Sequence, residues 1–156
     1  MAIRFQKEVI LSAIATLYLI DQPSTSGLQE SIAAGPETAS AFFAAHMQAI
    51  STFDGSGWIF PTLLPVLDQQ YGIKLISDFP NIVGILDIIF TVEHRNAHLD
   101  RLDPNLFEVD ALRTAFERFN ETTEPDAGLF IREGVSFLHK GLRMVTPKNL
   151  VLLTVS

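Results

Sequence analysis

Apolar side chains recur every three or four positions over most of this 156-residue chain, and that spacing constrains the fold more than any single motif. Between Pro36 and Phe53, the residues Ala39, Phe42, Phe43, His46, Ile50 and Phe53 share one stripe, and Pro36 suits a first helical turn after Gly35. Residues 4–20 place Ile10, Ala13, Ile14 and Leu17 on one face. Asp21 to Gly27 reads as a loop. Trp58 to Gln70 predicts a short helix with an irregular start, because Pro61 and Pro65 interrupt it. Asp78-Phe79-Pro80 opens a long helix that runs through the apolar segment from Ile82 to Phe90. Asp103-Pro104 has the form of an N-cap followed by proline, with Val109, Leu112, Phe116 and Phe119 facing inward behind it. After a linker at residues 122–126, a last helix is expected from about Ala127 to Val145, stopping before Pro147. The expectation is therefore all-α: one domain over residues 1–156, a bundle of about five to seven helices. Two brief extended pieces are allowed, at Ile73 to Ile76 and at Leu150 to Val155, the latter as an edge strand or docked tail.

Composition narrows the function classes. Apolar residues make up 47% of the chain and charged residues 19%, with twelve Phe, which suits a large apolar interior and excludes disorder. The net charge of -7, with no basic stripe, sets the chain against nucleic acid and leaves a basic protein partner open. There is no cysteine, so disulfides, thiolate nucleophiles and Cys-ligated metal or haem are excluded. The basic start followed by apolar Val9 to Ile20 has the outline of a signal peptide. Glu8 interrupts it and no small-residue cleavage site follows, so a core helix is expected. The stretch is also short of the roughly 20 residues a membrane span needs. A soluble, intracellular protein is the expectation, with secretion left open. The sequon Asn120-Glu121-Thr122 has meaning only in a secreted chain.

Chemistry, if present, is concentrated in the run from Thr91 to Asp103, which carries two of the four histidines among carboxylates and arginines. On a helical wheel continued from Ile82, Leu86 and Ile89, Glu93 and Asp100 extend the inward stripe. Asp87, Thr91, His94 and His98 form a second, more polar stripe. An inward carboxylate requires a partner, and His46, midway along its own apolar stripe, is the candidate on another helix. Glu93, assisted by His46 or His94, would do acid–base chemistry beside a pocket lined by Phe42, Phe43 and Phe90. His94 and His98, four residues apart, also have the spacing to share a metal ion with Asp87, Asp100 or Glu93 as a third ligand. His139 lies at the edge of the last helix's apolar stripe and reads as structural. Ala127, Gly134 and Gly141 repeat every seven residues, a smooth strip for helix packing or for a flat ligand.

The residues Glu93-His94, Ala97, Leu99, Arg101 and Asp103 resemble the Glu-His-Asp-Ala-Ser-Leu-Ser-Arg-x-Asp signature of the haem-thiolate peroxidases, the fungal chloroperoxidases and peroxygenases. The match requires one inserted residue after His94; His98 and Asp100 stand where that family has serines, and the Asp after the His is lost. The resemblance implies a helical cavity with Glu93 moving peroxide protons or holding a cation near haem. The family's Pro-Cys-Pro haem ligand has no counterpart here, so haem-thiolate chemistry is excluded and haem could be held only through a histidine, with His46 best placed.

Two functional classes follow. One is an enzyme that acts by proton transfer on a small apolar molecule, an isomerisation, cyclisation or peroxide-type step. The other is a non-catalytic acidic interaction protein, of inhibitor or immunity type, whose ionisable run is an exposed recognition surface. Haem or a divalent metal remains open in the first.

Overall fold

The computed structural model describes residues 13–21, 25–76, 84–120 and 127–156. Four strands, β1 (Ala15–Asp21), β2 (Met47–Thr52), β3 (Leu86–Phe90) and β4 (Asn149–Val155), form one antiparallel sheet in the order β2-β1-β4-β3. Around it lie α1 (Thr25–Ala34), α2 (Pro36–His46), α3 (Phe60–Tyr71), α4 (Val92–His98), α5 (Val109–Asn120) and α6 (Ala127–Met144). The all-α helical bundle is thereby overturned: the domain is mixed α/β.

The reason lies in how the strands are buried. In β4, Leu150 to Val155 are all buried, so the strand shows a nearly continuous apolar run, broken by Thr154 alone, instead of a two-residue alternation. The same holds for Ile88, Ile89 and Phe90 in β3. Runs of this length, covered on both faces, carry no periodicity that separates strand from helix. Their content of Val, Ile, Leu and Phe was the remaining cue. The proposed helix over residues 4–20 is replaced from Ala15 onward by β1, and its first residues lie outside the described ones. The long helix after Asp78 is replaced from Leu86 by β3, with residues 77–83 outside the described ones. The stripe from Ala39 to Phe53 runs across a real boundary: α2 stops at His46, and Met47 passes directly into β2. The C-terminal segment is a strand, but an interior one, paired with β1 on one side and β3 on the other.

The helices that were expected and are found have clear local causes. Pro36 occupies the first turn of α2, and Gly35 before it takes φ 126°, a value that L side chains rarely adopt. A single 3₁₀ turn at Gly57–Ile59, capped by Ser56, leads into α3, which ends at Gly72 in the left-handed conformation (φ 67°). Asp103 accepts from the Asn105 N–H, as an N-cap does, but the turn it starts is a short 3₁₀ segment (Pro104–Leu106), and α5 begins only at Val109. The loop expected from Asp21 to Gly27 has become helix by Thr25. Leu112 and Phe116 are buried as expected and Val109 is half-buried; the side chain of Phe119 and the linker at 122–126 lie outside the described residues. Ile73 and Leu75 are buried in an extended piece that joins no strand.

The sheet separates two cores. On one face Ala15, Leu17, Ile88, Phe90, Val151, Leu153 and Val155 pack with α3, α5 and α6 through Leu63, Leu67, Leu112, Val135, Leu138 and Leu142. On the other, Ile20, Ile89, Leu150 and Leu152 pack under the α1–α2 hairpin, chiefly against Leu28 and Phe43. Fully burying one such aliphatic or aromatic side chain is worth about 1.5–3 kcal/mol, so both layers contribute substantially. Two glycines of the seven-residue strip let α6 come close. A Cβ on Gly141 would sit 3.0 Å from the Phe90 ring and 3.1 Å from Leu17, and one on Gly134 would meet Ile59 at 2.6 Å. The strip serves packing.

Candidate functional site

β3 ends at Phe90, and Thr91 caps the short helix α4 that carries the ionisable run. The Thr91 N–H donates to His94 Nδ1 (3.1 Å) while the Thr91 hydroxyl oxygen accepts from the His94 N–H (3.4 Å), a reciprocal capping box with an imidazole in the place usually held by Glu or Gln. A backbone N–H can only donate, so His94 Nδ1 is unprotonated in this arrangement. His94 is half-buried, and its pKa is lowered first by burial and then by His98, against a smaller opposing effect of Glu93. The pKa of His98 is also lowered, by burial and by the Arg101 guanidinium, with the Lys74 backbone carbonyl opposing. Its Nδ1 is enclosed and, among the described residues, has no hydrogen-bond partner.

Glu93 does not point inward. It is exposed in the first turn of α4, and the backbone N–H of its own residue and then the Thr91 hydroxyl hold its pKa below the usual carboxylate value. Its inward orientation was inferred by continuing one helical wheel through 82–93; the break from strand to helix at Thr91 resets that phase. His46 is likewise exposed, at the last position of α2, with its ring tilted 32° over Phe42 at a centroid distance of 4.3 Å. The expected pocket of Phe42, Phe43 and Phe90 is divided by the sheet. Phe43 is buried in the core under α1–α2 with Phe42 against it, whereas Phe90 is buried in the core on the opposite face.

The two arginines of the run have structural partners. Arg95 donates to the Val145 carbonyl (2.6 Å), just beyond the end of α6, and Arg101 donates to the carbonyls of Tyr71 and Gly72 (3.2 Å to Gly72) at the end of α3. Each therefore places a cation on a helix C-terminus, where the unpaired carbonyls and the helix dipole favour it. Arg132 of α6 reaches back to the Pro104 carbonyl (3.2 Å). Asp87 is buried in β3, accepting from the Thr154 hydroxyl of β4 (2.6 Å) and from the Gly84 N–H (3.0 Å). These bonds hold Asp87, one of the three carboxylates offered as a third metal ligand, within the sheet. Among the described residues, no group of three or more His, Asp or Glu side chains is arranged to hold a metal ion.

A different surface has the shape of a site. An open groove of about 370 Å³ lies between α6 and the end of β2, at Ser51 and Thr52. Phe53 and Phe137, 5.3 Å apart between ring centroids, stand at its apolar wall. Lys140 Nζ donates to Ser51 Oγ (3.0 Å) across it, and His139 and Arg143 flank that point. Asp54 and Glu133 line it as well. Since Lys140 meets Ser51 and Phe137 meets Phe53, α6 runs antiparallel to β2. Lys140 thus lies beside the last residues of the strand, with Asp54 just beyond its C-terminal end. No carboxylate among the described residues pairs with His139, Lys140 or Arg143.

Neither a family model, nor a curated protein, nor a solved structure matches this chain. The peroxidase resemblance therefore rests on its motif residues alone, which here form α4 and the 3₁₀ turn after it. No described helix is long and apolar enough to cross a membrane.

His139 had been read as structural, and Ser51, Lys140 and Arg143 carried no signal of their own in the sequence. The groove depends on β2 lying beside α6, some 85 to 90 positions apart in the chain (Ser51 and Lys140 differ by 89).

Proposed function

We propose that this protein acts by binding a basic macromolecular partner and not by catalysis. The solvation of Glu93 carries the reading. A general acid or base working on an apolar molecule is tuned by burial toward neutral pH, whereas this carboxylate stands in water with its anionic form favoured. The second member of the expected pair, His46, also stands at the surface, and the phenylalanines meant to line the pocket are core side chains on either side of the sheet. A net charge of -7 favours encounter with a positively charged partner and raises the association rate at low salt.

Co-purification from the native host at low salt, followed by reconstitution from purified components, tests this. The expected result is a stoichiometric complex with a basic protein that weakens steadily as salt rises and is unaffected by Glu93→Gln beyond the loss of one charge. A small molecule retained at one per chain and converted only while Glu93 is present would overturn the reading in favour of an enzyme.

A further inference from the structure

The helix that carries the ionisable run depends on two imidazoles. α4 has seven residues, none of them buried, and a helix that short does not persist in water by itself. Val92 and Leu99, at its two ends, rest on the larger core. His94 meets the buried Phe90 ring edge-on, 6.5 Å between ring centroids. The first turn is fixed by the reciprocal cap between Thr91 and His94. The last turn is set by His98, with the Lys74 carbonyl beside its ring, and Arg95 ties the middle to the Val145 carbonyl.

Both rings fit this arrangement only without a proton on Nδ1. A proton on His94 Nδ1 removes the acceptor of the Thr91 N–H and sets a cationic N–H opposite it, 3.1 Å away. The Thr91 hydroxyl, 3.2 Å from Nδ1, can accept the new proton but leaves the Thr91 N–H unpaired. The charge also falls in the first turn, where the helix dipole opposes a cation. A proton on His98 Nδ1 is enclosed with no acceptor among the described residues. Arg101, of the 3₁₀ turn Asp100–Leu102, repels the charge there, and charge on His98 opposes charge on His94, with Glu93 offsetting part of this. On the other elements against α4, Asp100, Lys74 and Arg143 are exposed, and none of their side chains is bonded to either ring.

We infer that α4 is a latch released by acid: protonating His94 and His98 detaches Val92–His98 while the sheet stays folded, and uncovers the apolar margin of the core on which Val92 and Leu99 rest. This is a local transition and is independent of the interaction reading above. Short elements held by few contacts open separately from the global unit. Both rings are held below the ordinary histidine value, so release takes up protons and is favoured as pH falls below about 6.5.

The test is amide exchange by NMR on the full chain, corrected for the intrinsic pH dependence of exchange, with the imidazole signals followed in the same samples. Protection of the amides at 94–99 should fall about tenfold or more between pH 7 and 5.5, relative to the amides of β1 and β4, as the two rings titrate. Binding of a hydrophobic dye should rise over the same range. The double variant His94→Gln with His98→Gln should keep α4 protected at pH 5.5, and His46→Gln, at the exposed end of α2, should leave the release unchanged. His94→Gln alone retains a capping-box residue and should move the release to lower pH. Equal loss of protection in α4 and the strands would overturn the inference, since the acid effect would then be global. So would an α4 that stays protected after both rings have titrated, a release unmoved by His94→Gln, or one abolished by His46→Gln.

Discussion

His94 caps α4 only while its Nδ1 carries no proton, because that atom accepts the Thr91 N–H. His98, one turn on, has an enclosed Nδ1 with no partner among the described residues, and it lies near the Arg101 cation. Both imidazoles are shifted below the ordinary value of about 6.5, so between their folded pKa values and that point the unfolded chain binds more protons than the folded one. Stability therefore rises with pH across this window and falls as the solution is acidified below about pH 6.5. Urea midpoints measured from pH 7.5 to 5 should decline, and NMR titration should show both rings titrating below ordinary histidine. His94→Gln restores the usual capping-box residue without a titrating group. It should keep stability at pH 7 and reduce the acid dependence; an unchanged pH profile would remove His94 from this account. Asp87 gives a second test at this scale. Asp87→Ala leaves the buried Thr154 hydroxyl and the Gly84 N–H without their acceptor, at a cost of about 2 kcal/mol or more in urea unfolding. The sequence singled out the right dense run at 91–103 but not what its members do. Whether a histidine is a ligand, a base or a cap is decided by the atom opposite its ring nitrogen, which spacing does not reveal.

Between elements, the same run acts as a clasp. Arg95 and Arg101 close the C-terminal ends of α6 and α3, and the 3₁₀ turn after Asp103 is held in turn by Arg132. Close approach of α6 to the sheet depends on Gly141. Alanine there gains up to about 1 kcal/mol of helix propensity but presses on Phe90 and Leu17, both fully buried, and overpacking of a tight core costs about 1–3 kcal/mol. The clash should win, and Gly141→Ala should melt several degrees lower in a calorimetric scan; a stabilised variant would mean that the Phe90 ring yields freely. At this scale some helices were legible, α2 from Pro36 at its start and Ala127 to Met144 as a long amphipathic run, while Pro61 and Pro65, read as interruptions, sit in the first turn and the interior of α3. The strands were not. β1, β3 and β4 are short and lie within a domain whose helices cover both faces of the sheet, so their apolar runs fit a helical wheel as well as they fit a pleat.

The molecule as a whole is a sheet between two unequal layers, with α3, α5 and α6 on one side and the α1–α2 hairpin on the other. The thinner layer depends on few large side chains, and Phe43 is its largest fully buried one. Phe43→Ala should cost about 3–5 kcal/mol and expose the second face of the sheet, seen as increased binding of a hydrophobic dye before the main unfolding transition. A loss below about 1 kcal/mol would mean that the hairpin contributes little to holding the fold. Composition alone established the apolar content for a large core, the absence of cysteine and the excess negative charge, since each of these is a sum over residues that no arrangement changes. Local sequence also set some helix starts, that of α2 at Pro36 above all, because a proline acts within one turn. Tertiary structure decided the sheet, the side of it on which Phe43 and Phe90 lie, the solvation of Glu93 and His46, and the groove between β2 and α6. Those depend on which distant segments become neighbours, and the packing that brings Ser51 to Lys140 is a property of the folded whole.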